Sequence, residues 1–223
     1  MKPAKNFYPT ILVAGLCSAA LLFGSTNATN ATPITLTFDD ISIPSVDPSI
    51  NVPNGYGTLQ WNNFAVISAY NYPGTGYYNG MVTRNNDVFD ANGLSASFSR
   101  STPFDLDSAY LTAAFKTGMF QTSMQVEVQG YNGSSLVYDN TYTLMFDSTT
   151  TMGPAAPTLI NFDYTGVTEV NFIPSSGQFV MDNLTVTIPE TAPTLILLGI
   201  SVLGLRMASG RLRSVWRPEF RSL

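Results

Sequence analysis

From Thr32 to Ile188 the chain repeatedly alternates apolar with polar residues, and turn-forming clusters break the alternation at short intervals. Ile34-Thr35-Leu36-Thr37-Phe38 is the first such run, with the period of two that half-buried strands require. Further runs lie at Leu59–Ile67, Leu94–Phe98, Ala109–Phe115, Met124–Val128, Leu136–Phe146, Thr158–Tyr164, Val167–Ile173 and Phe179–Ile188. Asn54-Gly55, Pro73-Gly74, Asn92-Gly93, Asn132-Gly133 and Ser176-Gly177 punctuate them with residues that tolerate tight turns. No segment of this region carries a convincing helical period. About nine short strands with regular turns predict an all-β fold, an antiparallel β-sandwich of jelly-roll type. A stretch of this size buries about two-thirds of its surface and needs no disulfides to fold.

The two ends read differently and divide the chain into 1–31, 32–188 and 189–223. Lys2 and Lys5 precede a thirteen-residue apolar run, Ile11 to Phe23, followed by the small and polar residues GSTNATNA. That order predicts a signal peptide with a hydrophobic signal helix over 1–31, cleaved after Ala28 or Ala31. The single cysteine, Cys17, lies inside this run, and Leu16 before it argues against a lipoprotein anchor.

At the other end, Ile188-Pro189-Glu190-Thr191-Ala192-Pro193 is followed by twelve residues reading TLILLGISVLGL and then by Arg206, Arg211 and Arg213. Twelve residues at about 1.5 Å rise span roughly 18 Å, against a hydrocarbon core of about 30 Å. Continuing through Met207–Gly210 lengthens the segment towards a transmembrane helix, with Arg206 reaching back to the interface. Positive charge on this flank favours a cytoplasmic terminus and export of everything before it. A buried carboxy-terminal helix is the competing reading, but between Thr194 and Arg206 only Ser201 interrupts the apolar run.

Motif, apolar run and arginines together resemble the PEP-CTERM sorting signal of exported bacterial proteins. The resemblance implies recognition by an exosortase-type sorting protease through Pro189, Glu190, Thr191, Arg206, Arg211 and Arg213. Pro-Glu-Thr stands where the family has Pro-Glu-Pro, and Ser214–Leu223 extends past the arginines. Tails of this type also go under an ice-binding heading. No periodic Thr-x-Thr ladder runs through the chain, so antifreeze activity is not inferred.

The middle segment is similar to a β-sandwich that recurs in PEP-CTERM proteins. The similarity is carried by Leu36–Ile41, by Phe104–Phe115, by Val128–Gly133 and by Phe179–Val186. It implies a galactose-binding-like sandwich related to carbohydrate-binding modules, and it implies fold more firmly than ligand.

Charge and chemistry narrow the function. Over 32–188 Arg84, Arg100 and Lys116 oppose thirteen Asp and Glu, a balance of ten negative charges, which disfavours nucleic acid and anionic lipid headgroups. The chain has no histidine, so Ser-His and Cys-His pairs and histidine metal sites are excluded. Catalysis is not expected, since nothing places two carboxylates at a glycosidase separation.

Three constellations remain. Asp39 and Asp40 follow the first strand, while Asp182 and Asn183 sit in the last. If those strands are neighbours, these oxygens would hold a structural Ca2+ that staples the two ends. Strand ends and turns favour the same residues, which is the plainer account. Within Asn85–Gly93, Asp90-Ala91-Asn92-Gly93 resembles part of an EF-hand loop, but Val88 and Ser99 fall where ligands are needed, so an acidic surface turn is expected. Finally, Tyr70–Gly80, reading YNYPGTGYYNG, is expected to be a loop. Its Tyr70, Tyr72, Tyr77 and Tyr78 would either stack on sugar rings or pack against the sandwich edge, where Trp61 is expected in the core.

Two function classes follow. One is an exported structural or adhesive protein of the cell surface or the extracellular polysaccharide layer. The other is a carbohydrate-binding module with structural calcium.

Overall fold

The computed structural model describes residues 31–45, 48–115, 121–146 and 156–189. The expected signal helix, and Glu190, Thr191, Arg206, Arg211 and Arg213 of the sorting segment, lie outside the described residues. Among the described residues no helix is long and apolar enough to cross a membrane.

Ala31–Pro189 forms one compact unit built almost wholly from antiparallel strands. They are β1 (Thr32–Leu36), β2 (Ser49–Asn51), β3 (Gln60–Asn62), β4 (Phe64–Ile67), β5 (Asp87–Asp90), β6 (Ala96–Phe115), β7 (Ser123–Asn132), β8 (Ser135–Met145), β9 (Thr158–Pro174) and β10 (Gln178–Ile188). The strand order is β2-β4-β5-β10-β6-β9-β7-β8, with β1 added to β10 and β3 to β6. Burial follows the sequence alternation. On β7, Met124, Val126 and Val128 are buried while Gln125 is exposed and Glu127 and Gln129 are half-buried.

The strand path folds back over itself. From β4 to β9 it takes four steps of about 4.8 Å, roughly 19 Å along a flat sheet. Yet the Phe64 ring of β4 meets the Phe172 ring of β9 at 5.8 Å. The sheet therefore curls over so that its apolar faces pack as two layers. Phe38, Trp61, Phe64, Phe98, Phe104, Phe162, Phe172 and Phe179 fill the space between. Trp61 sits there as expected, its indole N–H donating to the Tyr56 carbonyl at 2.9 Å. Gly130 makes room beside this core. A Cβ there would sit 3.0 Å from Tyr164, whose ring stacks on Tyr138 at 4.4 Å.

The structure redraws several predicted elements. Leu59–Ile67 is not one strand. Asn63 takes a left-handed φ of 56°, and its amide donates to the carbonyls of Ala91, Leu94 and Ser95, so β3 goes to β6 and β4 goes to β5. Ala96–Phe98, from the predicted run Leu94–Phe98, and Ala109–Phe115 belong to the single strand β6, and Thr158–Tyr164 and Val167–Ile173 to β9. Both long strands absorb register shifts that let them serve both layers. The three-residue β2 was too short to announce itself.

Asn85–Gly93 is the clearest correction. Its centre is no acidic surface turn but β5, with Asp87 and Asp90 fully buried between β4 and β10. Tyr70–Gly80, expected to be a loop, contains a short helix, α1 (Gly76–Gly80), where Thr75 Oγ1 accepts from the Tyr78 N–H at 3.3 Å.

Candidate functional site

The first and last strands do lie side by side. β1 pairs with β10 from Thr32↔Ile188 to Leu36↔Leu184, and this carries Asp39 to within electrostatic reach of Asp182. Phe38, two residues past β1, has φ 61°, which turns the chain so that the Ile41 N–H donates to its carbonyl at 3.2 Å. Asn86 clamps this turn from below. Its side-chain amide donates to the carbonyls of Phe38 (3.1 Å) and Ile41 (2.9 Å), and its N–H donates to Asp39 Oδ1 at 2.9 Å. Sequence reading missed Asn86, because an Asn among acidic residues looks like a turn former until its buried surroundings are known.

The turn forms one wall of an open cleft of about 620 Å3. Among the described residues Asp39, Ser42, Ser45, Ser68, Asn71 and Asn85 line it with hydroxyls, amides and one carboxylate, together with the rings of Tyr70 and Tyr72. Tyr70 is 51% exposed, with the Arg84 guanidinium 5.7 Å from its ring centre and the Tyr78 ring at 6.2 Å.

The four tyrosines therefore divide. Tyr70 and Tyr72 line the cleft, while Tyr78 is half-buried with its ring near that of Tyr70. Tyr77 belongs to the packing. Its ring meets Phe89 edge-on at 5.6 Å, and its hydroxyl donates to Gln178 Oε1 at 2.5 Å. Burial, reinforced by the nearby Asp90 and Asp87, pushes its phenol well above the ordinary range.

The expected calcium quartet does not converge. Asp40 Oδ1 accepts from the Tyr56 hydroxyl at 2.8 Å, and the Asn183 side-chain oxygen accepts from Thr83 at 3.2 Å. Asp182 is buried, with Oδ2 accepting from the N–H groups of Val82 (2.7 Å) and Thr83 (2.8 Å) and Oδ1 from that of Asn183 (2.7 Å). Burial pushes its carboxyl up to about 6, the three backbone donors pull it down, and Asp39 adds a smaller upward push. Among the described residues no group of three or more His, Cys, Asp or Glu side chains is placed to hold a metal.

What sequence reading did not supply is Asp87. Val88 pairs with Met181, so one step along the ladder brings Asp87 level with Asp182. Asp87 is 0% exposed and neither carboxylate oxygen has a hydrogen-bond partner. Burial first, and then the Asp182 charge, raises its carboxyl well above the usual range. Asp90 is buried on the same strand, with Oδ1 accepting from the Phe179 N–H at 2.7 Å and Oδ2 unpartnered. Burial pushes its carboxyl up to about 8.

No protein-family model matches the chain, and no curated protein matches it. Among solved structures it is similar to an arabinose-bound α-L-arabinofuranosidase, at 12% identity and TM-score 0.39, over 68% of this chain and 25% of that one. An agarase overlaps at 8% identity and TM-score 0.32, over 68% and 24%. A carbohydrate-binding module in complex with β-1,4-galactotriose overlaps at 6% identity and TM-score 0.30, over 59% and 87%. This chain thus spans about a quarter of the length of the two enzymes. Overlaps this loose transfer no residue role to it.

Proposed function

We propose that this is an exported, non-enzymatic protein of the cell envelope or extracellular polysaccharide layer, whose jelly-roll domain holds a neutral glycan in the cleft beside β1. The observation that carries this reading is the composition of the cleft. Tyr70 and Tyr72 line it together with serine hydroxyls and asparagine amides, rings suited to the apolar sides of a sugar and polar groups suited to its hydroxyls. Among the described residues its lining contains one carboxylate, Asp39. The acid-rich composition of 32–188 supports an uncharged polymer over nucleic acid as the partner.

Export and sorting rest on the terminal segments: the signal peptide, the membrane-embedding run after Thr194, and the motif an exosortase-type protease would read. The glycan reading is tested on an array with purified Ala31–Pro189. Selective binding that disappears in the Tyr70→Ala, Tyr72→Ala double variant is expected. Retention unchanged by that double variant would exclude the cleft.

A structural calcium ion belongs to the same proposal, with a revised set of ligands. Asp87 takes the place of Asp40 and Asn183, so Asp87 and Asp182 would hold the ion and Asp39 would add charge nearby. The unpartnered Asp87 oxygens support this, since a hard cation takes six to eight oxygens, including carbonyls and water. Calcium at a hundredfold excess over its dissociation constant would stabilise the fold by about 2.7 kcal/mol. Chelator should lower the melting temperature of the native sequence and leave Asp87→Asn unmoved. If chelator moves neither, Asp87 holds a proton instead of a metal.

A further inference from the structure

Strand β8 ends the sheet, and among the described residues β7 is its one strand partner. Along its eleven residues every second one thus turns its backbone donor and acceptor to the outer edge, where another strand could take them. Lysine and proline, which usually protect such edges, are missing from its sequence SLVYDNTYTLM, and Asp139 is its one charge. The strand is also held firmly in place. Tyr138 stacks on Tyr164, Tyr142 meets Phe162 edge-on at 5.4 Å, and the Asn140 amide donates to the Tyr164 hydroxyl at 2.8 Å. Leu136 (47%), Val137 (48%) and Met145 (61%) nevertheless remain exposed.

We propose that β8 pairs antiparallel with the β8 of a second copy of this chain, about a two-fold axis at Asn140. The strand's own sequence points to this axis, being nearly palindromic about that residue. Pairing there sets Leu136 against Leu144, Tyr138 against Tyr142, Val137 against Thr143 and Asp139 against Thr141. Aliphatic meets aliphatic, aromatic meets aromatic, β-branched meets β-branched, and no charges of like sign are opposed. Neighbouring registers are worse. A slip by one residue places inner side chains against outer ones, and centring on Asp139 opposes two carboxylates. An isologous contact of this kind closes at two copies and continues the sheet across the axis. It does not depend on the glycan reading, although a dimer would present two clefts to one polymer and so bind it with avidity.

The test uses the full chain with Cys17→Ser, which leaves no native thiol, and adds Asn140→Cys at the axis. Mild oxidation should give a disulfide-linked dimer, whereas Asn62→Cys on β3, exposed and on a strand that pairs with β6 and not with β8, should not cross-link. Thr141 is exposed, and a charge placed there reads the register directly. Thr141→Glu places a carboxylate opposite Asp139 twice per dimer and should cut the cross-linking rate by about tenfold. Thr141→Lys places an ammonium there and should restore or raise it. Sedimentation of the full chain without engineered cysteine should show the same order of dimer stability. Absence of a cross-link at Asn140 overturns the proposal. Equal cross-linking in the Thr141→Glu and Thr141→Lys chains overturns it too, because the copies would then meet through another surface.

Discussion

Replacing Asp90 with asparagine should make the domain less sensitive to pH, and the size of the effect follows from where Asp90 sits. Its carboxyl is raised from 3.8 to about 8, chiefly by burial. A raised acid binds its proton more tightly in the native state than in the unfolded one. The stability that Asp90 contributes is therefore fully present below about pH 4 and is lost as pH rises through the native value near 8. Between pH 5 and pH 8 the loss from this residue is about 4 kcal/mol, at about 1.4 kcal/mol per pH unit. In the Asp90→Asn variant the new amide oxygen can keep the bond from the Phe179 N–H, and the side chain carries no charge to desolvate. The amide nitrogen inherits the unpartnered position of Oδ2, a cost that does not vary with pH. The readout is the difference between unfolding free energies at pH 5 and pH 8, from denaturant titration of both proteins with chelator present. The native sequence should lose about 4 kcal/mol more than the variant across that interval. If the two curves run parallel to within about 1 kcal/mol, Asp90 titrates as an ordinary carboxylate and the burial argument fails.

Other perturbations test the packing and the division of the tyrosines. Phe64→Ala removes a buried ring that bridges the two layers and should cost about 3–5 kcal/mol by calorimetry; a loss below about 1 kcal/mol would mean the layers do not meet there. Gly76→Ala would put a Cβ 2.4 Å from the Ala114 backbone, so α1 must shift from β6, and a loss of about 1–3 kcal/mol is expected. Tyr77→Phe should cost about 1 kcal/mol in stability through the lost bond to Gln178 and leave glycan retention intact. Tyr70→Ala should do the reverse, weakening retention with little change in melting temperature.

The β class of this domain was legible because alternation with a period of two is a local property. Each half-buried strand needs an apolar face whatever its neighbours are, and β7 and β10 show their pattern without reference to any other strand. The turn at Asn92-Gly93 was legible for the same reason, since left-handed backbone favours Asn and Gly locally. Asp39, Asp182, Tyr70 and Tyr72 could also be singled out from residue type and position.

What the sequence could not determine was the environment of each polar group. Asp87 and Asp90 read as solvated carboxylates because Asp usually is one, and only pairing with β4 and β10 buries them. Tyr77 and Tyr70 are the same residue type seven positions apart, yet one is anchored by Gln178, 101 residues away, and the other is left open to the cleft. Long-range pairing also joined the predicted segments of β6 and split β3 from β4 at Asn63. Local chemistry determined that this chain forms strands and turns. Which carboxylates lose water, and which rings keep it, was decided by contacts between residues far apart in sequence, because burial belongs to the packed whole.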